Sequence, residues 1–188
     1  MISGTEAYLV FEFFAFTLEQ ALNNLLIKDD NKIKVAKQIM NILKSLQKEK
    51  KMIKDFRPGV LGITDKMKIK LLDFGKKQIL NLGFLISEKL INQEIVDPHR
   101  IKYMPPESLL FLVEDLSFDV WSFGCILILN PIYKLKVTYR DLCKLHDIDL
   151  FPVVPNDING LMKDLIVKCL DRNYETRISI AEHSKYSP

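Results

Sequence analysis

The sequence is short of the features that mark several large classes of protein. It has three cysteines, Cys125, Cys143 and Cys169. They are odd in number, far apart and form no C-x-x-C, which argues against a disulfide-stapled secreted scaffold and fits a reducing, cytoplasmic setting. The three histidines, His99, His146 and His183, share no ligand spacing, so no transition-metal site is read. Long apolar runs are missing too. The longest, "VWSFGCILILNPIY", is too short and too interrupted to span a bilayer, so no membrane partner is expected. The first residues lack a basic start and include Glu6 and Glu12, which makes a poor signal peptide. A net charge of +3 is too small to argue for nucleic acid as a partner. The densest basic run, "KSLQKEKKMIK", reads as a solvated helix end and turn.

What is present suits one globular domain. The chain has 188 residues, 48% of them hydrophobic and 27% charged, enough to bury a sizeable core. Residues 7–14, "AYLVFEFF", read as an aromatic-rich strand. Residues 17–27 read as a short helix with Thr17 at its N-cap. Ala36, Ile39, Met40, Leu43 and Leu46 form one face of a helix over 33–48. "VLGIT" and "KIKLL" pair as a hairpin around "TDK". Residues 118–130 are apolar nearly all round, the mark of a helix at the centre of a domain. In 158–170, Leu161, Leu165 and Cys169 share a stripe, and Ser179 opens a closing helix. The fold class is therefore mainly α with short β hairpins.

Two stretches carry candidate chemistry. In "IKDFRPGVLG", residues 53–62, an acid, Asp55, stands two residues before a base, Arg57. In "LLDFG", Asp73 leaves a strand ahead of an aromatic and a glycine, a placement that can offer an oxygen to a metal. Taken singly, Asp55 is equally a surface turn aspartate and Arg57 a surface cation. Together with "YMPPESLL", "FDVWSFGCIL" and Arg177 in "TRISIAE", they form an ordered set that resembles the protein kinase family, Ser/Thr type. The loop at 53–60 resembles H-R-D-L-K-P-E-N, Asp73-Phe74-Gly75 resembles D-F-G, and Pro105-Pro106-Glu107 resembles A-P-E.

The resemblance implies a kinase-like domain over 1–188, with a hinge at about 7–16 and a C-terminal lobe at about 17–188. No glycine-rich loop and no V-A-I-K lysine occur, so the N-terminal lobe is read as absent. By the same resemblance Asp55 accepts the proton of a substrate hydroxyl, and Arg57 stands beside the transferred phosphate. Asp73 binds Mg2+. Phe11 is the gatekeeper, and the backbones of Glu12 and Phe14 meet the adenine of ATP. Glu107 and Arg177 form a buried ion pair, and Asp119 receives backbone N–H groups from the loop. A plain buried strand is the alternative for Phe11, Glu12 and Phe14.

Several positions depart from the family pattern. Ile53 and Lys54 stand for His-Arg, Val60 for the metal-binding Asn, and His99-Arg100 for Gly-Thr. Ser87 is the one hydroxyl between Gly75 and Arg100. Three readings follow: a Ser/Thr protein kinase, a pseudokinase acting as a protein-binding scaffold, or a truncated product without independent activity. The partners expected are a protein substrate or scaffold partner, and a protein covering the exposed aromatics of the hinge strand.

Overall fold

The computed structural model describes residues 12–72, 103–110, 115–129 and 160–181, and the following statements concern those residues. They form five α-helices and a three-stranded antiparallel sheet. Strand β1 (Phe16–Thr17) runs directly into α1 (Leu18–Asn23). The sequence signal for that start is a capping box. Thr17 Oγ1 accepts from the Gln20 N–H at 3.1 Å, and Gln20 Oε1 accepts from the Thr17 N–H at 2.9 Å. Helix α2 (Asp29–Lys48) follows, and the periodic positions Ala36, Ile39, Met40 and Leu43 are buried as expected, with Leu46 partly so.

A 3-10 turn at Pro58–Val60 leads into β2 (Leu61–Ile63), which hairpins to β3 (Ile69–Leu71). The register sets Gly62 between Thr17 on one side and Lys70 on the other. β3 lies at an edge of the sheet, and Gln38 of α2 caps it. Its amide donates to the Met67 carbonyl and accepts from the Ile69 N–H, both at 3.0 Å. A side chain thus satisfies backbone groups that would otherwise invite another strand.

Helices α3 (Pro106–Leu110), α4 (Phe118–Leu129) and α5 (Gly160–Cys169) complete the set. Phe118, Val120, Trp121, Phe123 and Cys125 to Ile128 are all buried, so α4 is the central helix its sequence implies. It crosses α5 at Gly124, where an added Cβ would lie 2.8 Å from Leu170 and 3.0 Å from Cys169 Cβ. The missing side chain lets the two helices approach. Burial pushes the Cys125 thiol up to about 12, so this buried thiol is an apolar packing group.

Two expectations are corrected. Residues 12–14, the end of the expected strand, have no strand structure, and the sheet takes Phe16–Thr17 instead. The partner, β2, is three residues long, and pairing begins only where the Ala15 N–H meets the Ile63 carbonyl at 2.9 Å. Leu161 leaves the expected stripe and is 60% exposed, because α5 buries Leu165, Ile166 and Cys169 in its C-terminal half, where it meets α4. The expected exposure of aromatics holds for Phe13 and Phe14, whereas Tyr8 and Phe11 lie outside the described residues. No helix among the described residues is long and apolar enough to cross a membrane.

Candidate functional site

The loop at 53–60 links α2 to β2. Its conformation is held from the opposite side of the domain. Asp119, in the first turn of α4 and 2% exposed, accepts from the Ile53 N–H at 2.6 Å and the Lys54 N–H at 3.0 Å. A carboxylate there also faces the positive end of the helix dipole. Directly after the second of these N–H groups, Lys54 takes a left-handed backbone, φ 62°. That conformation costs a side-chain-bearing residue about 1–2 kcal/mol, so the two charged hydrogen bonds hold strain at this point. Burial is the main influence on the Asp119 carboxyl and raises its pKa to about 6, against the downward pull of the two N–H groups.

The strained turn sets Asp55 beside a small pocket lined by Lys54, Asp55, Phe56, Tyr103, Met104 and Ser122. Ser122, in α4, ties the far wall in place by donating to the Tyr103 carbonyl at 2.7 Å. Asp55 and Arg57 are brought together. Arg57 Nε donates to Asp55 Oδ1 at 2.9 Å, and each side chain is about a quarter exposed. Arg57 has room for this because residue 59 is glycine. A Cβ at Gly59 would lie 2.7 Å from Arg57 Nη1 and 3.0 Å from Glu19 Oε2. Gly59 does not adopt a left-handed backbone, so its part here is to leave space. Glu19 reads in the sequence as a first-turn charge of α1, and its place beside this loop comes only from the fold.

Ile53 is buried and joins the core, in keeping with an aliphatic residue at a histidine position. Val60 is 6% exposed, and its side chain offers no oxygen. Among the described residues no group of three or more His, Cys, Asp or Glu could hold a metal ion. Asp73, the expected metal ligand, lies outside the described residues, as do Phe11, Ser87, His99 and Arg100. Glu12 and Phe14 lie at the sheet. The Glu12 carboxylate pairs with Lys70 Nζ at 2.8 Å, and that hydrogen bond holds its pKa below the usual range.

The second anchor is the Glu107–Arg177 pair, which the sequence pointed to from a separation of 70 residues. Arg177 Nη1 donates to Glu107 Oε1 at 2.6 Å and Nη2 to Oε2 at 2.9 Å, a bidentate fork. Nη1 also reaches Ser117 Oγ at 3.2 Å, and Nε reaches the Asp171 carbonyl at 2.9 Å. The guanidinium carbon sits 5.1 Å from the centre of the Trp121 ring. Such full pairing is what makes a buried ion pair tolerable. It ties α3, which follows the pocket wall, to the segment after α5.

Comparison with known proteins agrees with this frame. The family model described as protein kinase domain matches residues 1–187. The chain is 26% identical to a probable serine/threonine-protein kinase of Dictyostelium discoideum, over 94% of this chain and 26% of that protein. It is 30% identical to the serine/threonine-protein kinase PKH2 of Saccharomyces cerevisiae, over 79% of this chain and 14% of that protein. Identity to the probable serine/threonine-protein kinase mkcD of Dictyostelium discoideum is 27%, over 99% and 26% respectively. The chain thus spans about a quarter or less of the length of these relatives. With a family match that runs over nearly all of its sequence, the chain belongs to the protein kinase domain family.

Proposed function

We propose that this chain transfers the γ-phosphoryl group of ATP to serine or threonine hydroxyls of a protein substrate, in the cytoplasm and at a rate lowered by its altered loop. The observation that carries this reading is the fixed position of Asp55. Two hydrogen bonds to Asp119 hold the turn at Lys54, and Asp55, the next residue, is among those lining a small pocket. In this reading the substrate hydroxyl gives its proton to Asp55 while its oxygen attacks the γ-phosphorus. The bond from phosphorus to the bridging oxygen breaks, and ADP leaves. Arg57 lies within hydrogen-bond reach of Asp55 and carries the positive charge that meets the transferred phosphoryl group. Backbone groups of Glu12 and Phe14 receive the adenine, and this contact survives side-chain change. Asp73 would hold Mg2+, which would supply neutralisation of phosphate charge, and the Val60 side chain has no oxygen to add as a second ligand. The names of the three relatives, all of them serine/threonine-protein kinases, support the substrate class.

A second reading has its own observation. Val60 is a buried aliphatic residue at a position where the family carries a metal-binding amide. That favours a pseudokinase, a domain that binds protein partners without turnover. Val60→Asn separates the two readings. Under the first, phosphotransfer from radiolabelled ATP to a generic protein substrate rises in the variant and shows a steeper dependence on Mg2+. No transfer by either form, with both folded, defeats the first reading and leaves the second.

A further inference from the structure

Gly62 is the middle residue of β2, between Leu61 and Ile63, which both face the core. Side chains alternate along a strand, so a Cβ at Gly62 would point to the opposite, outward face, which it shares with its partners Thr17 and Lys70. A glycine on such a face would ordinarily lie open to solvent, yet Gly62 is buried. Two side chains cover it. Leu72 Cδ2 lies 2.5 Å, and Phe14 Cγ 3.0 Å, from the point a Cβ would occupy. Only a residue without a side chain allows this approach.

The two covering residues come from opposite ends of the candidate nucleotide site. Phe14 belongs to the segment whose backbone is assigned to the base, and Leu72 directly precedes Asp73. A base seated on the backbone of Glu12 and Phe14, with its phosphates running toward Asp55, would lie across the outward face of β2, where Phe14 already packs on Gly62. We propose that Phe14 and Leu72 form an apolar plug over Gly62 that fills the seat of the base, so that an adenine nucleotide binds only when Phe14 swings out. The inference rests on the reading that the backbone at 12–14 receives the base. Of the two, Phe14 is the part that moves. It is 37% exposed and lies next to Phe13, which is 82% exposed, in a segment without strand structure. Leu72 is tethered through its N–H to the Val60 carbonyl at 2.9 Å. Nucleotide affinity is then set at the base as well as at the metal.

Isothermal titration of the full chain in EDTA tests the plug with metal removed. ADP reports on base and phosphates together, and inorganic tripolyphosphate on phosphates alone. Phe14→Ala is expected to tighten ADP binding about tenfold, the effect of no longer displacing a part-buried ring, while tripolyphosphate affinity stays unchanged. Leu72→Ala is expected to act in the same direction and less strongly. Equal ADP affinity in wild type and both variants overturns the plug and leaves the base reading standing. Weaker ADP binding by Phe14→Ala also overturns it, since Phe14 then forms part of the seat. No ADP binding by any of the three overturns the plug and the base reading together. Thermal melting checks that each protein is folded, and Phe14→Leu serves the same comparison if Phe14→Ala is not.

Discussion

Replacing Asp119 by asparagine gives a pH-dependent readout of how the loop is held. The wild-type carboxyl has its pKa raised from 3.8 to about 6, with burial the largest cause and the Ile53 and Lys54 N–H groups opposing it. The sign follows from proton counting. Between pH 4 and 6 the folded chain binds more protons at this site than the unfolded chain, so stability falls as pH rises through that window. The contribution of Asp119 is most favourable below about pH 4. It is about 3 kcal/mol less favourable above pH 6, since each pKa unit is worth about 1.36 kcal/mol. The asparagine amide cannot titrate. It also offers one acceptor oxygen in place of two where two N–H groups converge, which adds a roughly constant cost of about 1–3 kcal/mol. Urea unfolding of both proteins from pH 4 to pH 7.5 removes the other titrating groups by difference. The wild-type advantage over Asp119→Asn is predicted to shrink by about 3 kcal/mol as pH rises. A flat difference, or an advantage that grows with pH, would refute the reasoning, because the hydrogen bonds would then outweigh burial.

Other expected outcomes follow from the same geometry. Glu107→Ala leaves Arg177 as a buried charge without its fork, so unfolding free energy should drop by about 3–5 kcal/mol in denaturant. Glu107→Ala combined with Arg177→Met should be less destabilising than the sum of the single changes, and strict additivity in that cycle would contradict the pairing. Arg57→Ala removes a partly exposed pair, so its stability cost should stay within about 1 kcal/mol while phosphotransfer falls well below wild type. A large drop in melting temperature instead would assign Arg57 a mainly structural part.

The sequence was most informative where one pattern acts locally or where a charged pair has to be buried. The periodic stripe of α2, the capping box at Thr17 and the turn at "TDK" each specify their element with little help from the rest of the chain. The partners of Asp119 and Arg177 were legible through the family resemblance, and the short distances explain physically why those residue types stand there. Features set by tertiary packing were harder to read. Phe16–Thr17 becomes a strand only because β2 lies beside it. Leu161 fits the apolar period of α5 but lies away from the crossing at Gly124. Gly59 and Gly62 matter for the side chains that occupy their empty space, Arg57 with Glu19 in one case and Leu72 with Phe14 in the other. A glycine inside a strand was the available signal for Gly62, and the identity of its neighbours could come only from the fold.

The central claim is that the clamped loop still presents Asp55 as a proton acceptor for a protein hydroxyl. The most direct measurement is phosphotransfer from Mg-ATP to a protein substrate by wild type and by Asp55→Ala, prepared side by side and matched for folding by thermal melting. Asp55 is partly exposed and so is its ion pair with Arg57, so its loss should leave the fold standing. The account predicts slow but measurable transfer to serine or threonine by wild type and a loss of at least about a hundredfold in the variant. Equal rates in the two proteins, or no transfer by folded wild type, would contradict it.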